Sequence, residues 1–342
     1  MTGDIGQEQL GLDAPTWERL AKDVDAIVHT GALVNHLMPY ANLFDANVNG
    51  TAELIRLAVT HHRKPISFMS SIAVSTLMGT HPSRPLDEEQ DIRHWAAKVS
   101  AEDTYAAGYG LTKWASEVLL REAHQRFDLP VTVYRSSMIL AHRREPSQLN
   151  VPDMFTRLVL SLANTGLAPQ TFYATEGPEE NSRAHYDGLP VDFTSATIIK
   201  TSLEEMPDSY RSFNLVNHHD DGVSLDSVVQ WMKTCGVALT IVDDYAQWLQ
   251  RLEQGLRTLP EALRAQSILP LLHSLSAPAT VQRGSPIPSG RLQAALAQGA
   301  LEPFEVPRLD NALIARYMDD LRTLDLIPPR AVPVDPPSIV AA

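Results

Sequence analysis

Tyr109 and Lys113 fall within the stretch YAAGYGLTKWASEVLLREA (105–123), whose Ala, Leu, Lys, Glu and Arg content is that of a helix. Residues at i and i+4 share one helix face. A cation held beside a phenol favours the phenolate and lowers a pKa that starts near ~10. A phenol so placed is suited to general acid chemistry. The same pair on an ordinary amphipathic helix does nothing chemical, so the surrounding elements must decide between the two readings.

From residue 13 to about residue 140 the pattern alternates helix and strand. APTWERLAKDV is helical and leads into the apolar run DAIVHTGALV; ANLFDANVNGTAELIRLAVTHH is a long helix followed by the strand PISFMSS; the Tyr109 helix precedes the strand PVTVYRSSMIL. Short apolar strands between helices of this length predict a parallel sheet with right-handed crossovers, covered on both faces. Beyond about residue 145 prolines, glycines and short helices dominate, with one return strand at RSFNLVN. The expected division is therefore 1–145 for a sheet domain, 146–327 for a smaller, mostly helical domain with one strand near 212–217 returning to the sheet, and 328–342 for a Pro-rich tail.

Two of the strands end in small polar residues. PISFMSS closes on Ser70 and Ser71, and DAIVHTGA on Thr30, Gly31 and Ala32. Carboxyl ends of strands are where open α/β sheets bind ligands. A strand-end serine followed by Tyr-x-x-x-Lys on a later helix is far more specific than either feature alone.

Composition narrows the function classes. The chain has 342 residues, 44% hydrophobic and 20% charged, with a formal net charge of −13. Such a surface repels nucleic acid and anionic membrane. Cys235 is the single cysteine, which leaves no intramolecular disulfide and no cysteine metal cluster. The opening MTGDIGQEQLGL does not read as a signal peptide, and a cytoplasmic setting is expected. NHHDDG (217–222) lacks metal-ligand spacing and reads as a polar loop before a helix capped by Ser224; no metal is expected. No Gly-x-Ser-x-Gly elbow is present, which argues against a hydrolase.

The order strand-end Ser, then Tyr-x-x-x-Lys, resembles the extended short-chain dehydrogenase/reductase family, with its Rossmann-like doubly wound parallel sheet. NVNGT at Asn47–Thr51 is similar to a motif of that family, and HYDGLPVDF at His185–Phe193 to its later Val-Asp segment. GDI at Gly3–Ile5 looks like the place where an aspartate, here Asp4, contacts adenine. YRSSMILAHRREPSQLNVPDMFTRLVLSL, NHHDDGVSLDSVV, VDDY and LPLLH narrow the likeness to the terminal thioester reductase domain of carboxylic acid reductases. It runs from about Gly3 to Ile327.

The resemblance implies NADPH as the hydride source, and as substrate an acyl thioester on the phosphopantetheine arm of a carrier (thiolation) domain, with an adenylation domain upstream in the intact enzyme. It implies Ser71, Tyr109 and Lys113 as the catalytic group. Asp4, Thr30, Gly31, Ala32, Tyr109, Lys113, Ser136 and Met138 would line the cofactor, and Met154, Phe155 and Leu158 would border the acyl channel or simply fill a core. A fatty acyl-CoA reductase or sugar epimerase on the same triad, or a non-catalytic module that only binds a partner, are the rival readings. In two respects this chain departs from the pattern. No Gly-rich dinucleotide turn follows any strand, so the sheet is expected to lack its first strands, with DAIVHTGA as an exposed edge. And Ser137 stands where the family commonly carries an acidic residue that is linked to stopping reduction at the aldehyde.

Overall fold

A computed structural model describes residues 1–78, 86–94, 107–174, 183–202, 209–298 and 304–329. All but two residues of the expected Pro-rich tail lie outside these. The chain divides into two compact units. One holds Met1–Ile139, Asp187–His219 and Ser285–Pro307; the other holds Leu140–Tyr186, Asp220–Gly284 and Arg308–Ala342. A single cut near residue 145 does not separate them, because two later segments, not one strand, join the first unit.

The first unit is built on four parallel strands in the order β1 (Ile27–His29), β2 (Ile66–Ser71), β3 (Val131–Ser136) and β7 (Tyr210–Leu215). Among the described residues β1 forms one edge of this sheet. It is shorter than the apolar run predicts, with Ile27 and His29 buried and Val28 55% exposed. Three further short strands follow β3 in the chain before β7: β4 (Met138–Leu140), β5 (Leu167–Pro169) and β6 (Gly188–Pro190).

Helices cover both faces, which is why β2 and β3 are buried nearly throughout. On one side Trp17 and Ala21 of α1 (Ala14–Asp23), Leu57 and Ala58 of α3 (Gly50–Val59), and Leu120 and Ala123 of α4 (Ala107–Phe127) pack on Phe68, Val131 and Val133. On the other, Phe193 and Ile198 of α6 (Val191–Ser202) and Leu292 of α10 (Gly290–Ala297) pack on Tyr134 and Phe213. The helix expected over residues 41–62 begins as α2 (Tyr40–Phe44), widens into a π turn at Asp45–Asn49 and continues as α3.

The second unit is mostly helical. α5 (Met154–Thr165) is capped by Asp153, whose carboxylate accepts from Thr156 N, and ends on Gly166 in the left-handed region at φ 66°. Its Phe155 packs edge-on against Tyr317 of α11 (Asn311–Thr323), whose hydroxyl accepts from Ala141 N at 2.8 Å. α7 (Leu225–Thr234) begins at Ser224 in a capping box with Ser227. α8 (Tyr245–Arg257) buries Trp248 against Phe172, and α9 (Glu261–Gln266) follows. β5 pairs in parallel with β8 (Thr240–Val242). No described helix is long and apolar enough to cross a membrane.

Candidate active site

α4 lies against β2 and carries Tyr109, Lys113 and Glu117 at successive i+4 positions, all buried. Two glycines permit close approaches around this helix and α3. A Cβ on Gly108 would stand 2.9 Å from Tyr40 N and 3.0 Å from Pro39 C, so only glycine lets α4 cross that segment. A Cβ on Gly50 would stand 2.7 Å from Ile5 O, which fixes the N-terminal segment against α3.

Lys113 is 3% exposed. Its Nζ donates to Met69 O at 2.8 Å and lies 4.8 Å from the centre of the Phe68 ring and 5.8 Å from that of Tyr109. Burial pushes the ammonium down to about 8, with Glu117 opposing the shift. Tyr109 differs from the expectation. Burial pushes its phenol up to about 12, so desolvation outweighs the cation on the next turn. At neutral pH the pair is a protonated phenol beside an ammonium, a proton donor and a positive charge one helical turn apart.

Ser71 ends β2, half-buried, and its Oγ accepts from Ala73 N at 3.1 Å. Ser70, its neighbour, points to the α4 side instead and donates to Glu117 Oε1 at 2.5 Å. Arg135 of β3 grips the same carboxylate through Nε and Nη2, at 3.1 and 2.8 Å to Oε2, and its Nη1 donates to Asp87 O. This fully buried Ser70–Glu117–Arg135 cluster was not singled out from the sequence, where Glu117 reads as one more helix charge. Nor was His36, whose ring centre lies 5.6 Å from that of Tyr109.

The loop after β1 is held from below. Asn47 Oδ1 accepts from Leu33 N at 2.7 Å, while Nδ2 donates to Leu33 O and to Thr112 Oγ1 of α4. Thr51 Oγ1 donates to Asn47 O and meets His29 Nε2 at 3.1 Å. The NVNGT motif thus ties the β1 loop, with exposed Thr30 and Gly31 and half-buried Ala32, to the helix that bears Tyr109. Asp4 is exposed and caps its own turn, accepting from Gly6 N and from Gln7 Nε2, both at 2.9 Å. Ser136 and Ser137 are buried at the carboxyl end of β3, with half-buried Met138 beyond them.

Phe155 and Leu158 are buried in the core of the second unit. In the 217–222 loop, Asp220 pairs with Arg183 and Asp221 with Arg308, while His219 Nε2 lies 2.8 Å from Val306 O. Among the described residues no group of three or more His, Cys, Asp or Glu side chains is placed to hold a metal.

A four-stranded parallel sheet sheathed by helices, with small polar residues at its carboxyl ends, is of the Rossmann type. A UDP-glucose 4-epimerase from Bifidobacterium longum shares that fold at TM-score 0.59 and 16% identity over 95% of this chain and 83% of that one, a likeness of fold alone. The family model described as male sterility protein, an NAD-binding domain, matches residues 1–198. A reductase (R) domain of a nonribosomal peptide synthetase from Mycobacterium tuberculosis superposes at TM-score 0.85 with 39% identity, covering 95% of this chain and 75% of that one. A carboxylic acid reductase from Segniliparus rugosus is 48% identical over 328 residues, 96% of this chain and 27% of that protein. One from Mycobacterium marinum is 46% identical over 96% of this chain and 28% of its own length. The chain therefore belongs to the NAD-binding reductase-domain family found in carboxylic acid reductases and nonribosomal peptide synthetases, and it spans 27% to 28% of the length of those two acid reductases.

Proposed function

We propose that this chain carries out the NADPH-dependent reduction of an acyl thioester, borne on the phosphopantetheine arm of a carrier domain, to an aldehyde. The observation that carries the reading is a protonated phenol and a buried ammonium one turn apart on α4, with the ammonium against the strand whose end carries Ser71. Lys113 Nζ reaches Met69 O, two residues before Ser71, while its ring neighbours are Phe68 and Tyr109. The names of the relatives, carboxylic acid reductase and synthetase reductase domain, support the same reaction class. The first unit takes the cofactor and the second, mostly helical unit takes the acyl arm. Charge and cysteine content support a cytoplasmic setting.

The residues suit the nicotinamide-ribose end of the cofactor. The Ser136 and Ser137 hydroxyls are enclosed without partners at the end of β3, and Lys113 is a buried donor of the same unit. The sequence has no Gly-x-Gly-x-x-Gly turn for a pyrophosphate, so the fit concerns that end alone. When bound, a reduced nicotinamide supplies hydride to the thioester carbonyl carbon. Tyr109 donates a hydrogen bond and then its proton to the carbonyl oxygen as charge develops there, with Ser71 as the second donor. The Lys113 ammonium stabilises that charge while it remains protonated, below about pH 8. The carbon–sulfur bond then breaks as the carbonyl re-forms, and the proton on that oxygen passes to the departing sulfur, which leaves as the thiol. Ser137, in place of an acidic side chain, leaves a second reduction of the aldehyde less restrained; an aldehyde that accumulates and is never turned over would contradict this.

The test is a calorimetric titration of the 342-residue chain with NADPH, then aldehyde formation from an acyl-pantetheine. Saturable binding is expected, and Tyr109→Phe should lower turnover by about 10²- to 10³-fold, the cost of one lost oxyanion donor. Unchanged turnover in that variant would exclude Tyr109 as the acid, and turnover of a nucleotide sugar instead would favour the epimerase reading.

A further inference from the structure

A buried ion pair is a poor stabiliser, because its attraction barely offsets the cost of taking two charges out of water, and an apolar pair of similar volume packs as well. One such pair lies wholly inside the first unit. The side chains of Glu117 on α4 and Arg135 on β3 are 0% and 1% exposed. Arg135 Nε and Nη2 donate to Glu117 Oε2 at 3.1 and 2.8 Å, and Ser70 Oγ donates to Oε1 at 2.5 Å. The carboxylate is fixed in one place, and stability alone does not account for it.

Its position on α4 does. Lys113 stands one turn earlier on the same helix face. The two side chains engage consecutive residues of β2: Lys113 Nζ donates to Met69 O, Glu117 accepts from Ser70, and Ser71 is the next residue. Burial disfavours the ammonium, and the charge of Glu117 works against that. His29 on β1 is held neutral, its imidazole pushed down to about 3 by burial and by the Lys113 charge. The phenols of Tyr109 on α4 and Tyr210 on β7 stay protonated, both pushed up by burial. Arg121 pairs with Asp91 at 3.5 Å, and Glu88 accepts from the backbone N–H groups of Asn214, Arg291 and Leu292. Glu117 is therefore the anion that acts on Lys113.

We propose that Glu117, clamped by Ser70 and Arg135, is a positioning residue for the reduction: it supplies the countercharge to the Lys113 ammonium and holds α4 against the end of β2 that carries Ser71. The inference rests on the function proposed above, through the role given there to Lys113. Glu117 acts through Lys113 and touches neither substrate nor cofactor. Without its charge the ammonium loses its proton at lower pH, and with it the support for a developing oxyanion.

The pH profile of kcat/KM for aldehyde formation from an acyl-pantetheine tests this, since its alkaline limb reports Lys113 in the free protein. Wild type should lose activity above about pH 8. Three variants separate charge from stability, with urea unfolding recorded for each. Glu117→Gln removes the charge and strands Arg135. Glu117→Leu with Arg135→Met removes the charge and strands nothing. Glu117→Asp keeps the charge on a shorter arm, at a cost in stability. The limb should move to lower pH by about one unit in the first two, the order of effect of one neighbouring charge at an effective dielectric of ~20, and stay in place in the third. A limb that is unmoved in the double variant, or that moves as far in Glu117→Asp, overturns the inference and leaves the proposed function standing. Should Glu117→Gln fail to fold, the double variant and Glu117→Asp decide. The same shift is readable without turnover, as the pH dependence of unfolding free energy of each protein minus that of its Lys113→Met derivative. A wild-type chain that shows no turnover while its variants show that shift overturns the proposed function alone; absence of the shift there overturns the inference.

Discussion

Lys113→Met isolates what the buried ammonium costs the fold. The unfolded chain holds this proton up to about pH 10.5, the folded chain only up to about 8. Between those values the unfolded state binds more protons, so stability rises with pH; below 8 the full penalty is present. The gap of about 2.5 units corresponds to ~3 kcal/mol at ~1.4 kcal/mol per unit. Methionine has a similar length and no titration. The difference in unfolding free energy, wild type minus variant, should therefore climb by about 3 kcal/mol from pH 7.5 to 10.5. Raised tyrosine pKa values, such as that of Tyr245 at about 12, act above pH 10 in both proteins and cancel in the difference. Urea unfolding at four pH values, followed by circular dichroism, would register this as a shift of roughly 1 M in the relative midpoint. At pH 7 the variant should be no less stable than wild type, while cofactor binding is lost. A difference that stays flat across the window would refute the claim that burial, not Glu117, sets the proton affinity of Lys113.

Other substitutions probe the frame around that group. Glu117→Gln strands Arg135 as a buried charge and should cost about 3–5 kcal/mol in denaturant unfolding, whereas Glu117→Leu with Arg135→Met should recover most of it. Gly108→Ala drives a methyl into the backbone of residues 38–40 and should cost about 1–3 kcal/mol, with a lower melting temperature and weaker NADPH binding together. Ser71→Ala leaves the fold intact and should lower kcat by about 10²-fold at nearly unchanged KM, since a donor used only as charge develops does not assist ground-state binding.

Much of this could be read in the chain. ISFMSS and VTVYRS are runs that only a doubly covered strand tolerates, and both occur as β2 and β3. Tyr109 and Lys113 lie on one helix face because i+4 spacing requires it. The direction of the Tyr109 shift was not legible, since spacing measures proximity and not depth, and depth prevailed. β1 shortened because the backbone after His29 turns to meet Asn47, a bond made to a residue 14 positions on. Glu117 and Arg135 lie on different elements, and neither has a local pattern that announces a buried pair. The segment 285–307 looked like part of the second domain, and its place in the first depends on bonds that no window of sequence contains.

Those bonds bear on how the protein is made. Glu88 accepts from Asn214 N at 2.8 Å and from Arg291 N at 2.7 Å, the second across 203 positions. β7 pairs with β3 in a register that matches Val131 to Tyr210. On a ribosome the first unit therefore waits, open along β3 until β7 (Tyr210–Leu215) has emerged, and with the Glu88 carboxylate only partly matched until about residue 292 has followed. A gene cut after residue 145 would release no independent nucleotide-binding domain, only a sheet missing its last strand and the helix that Glu88 anchors. Engineers who wish to exchange the second unit must splice at several junctions at once, because in this chain the two units are interleaved in translation order.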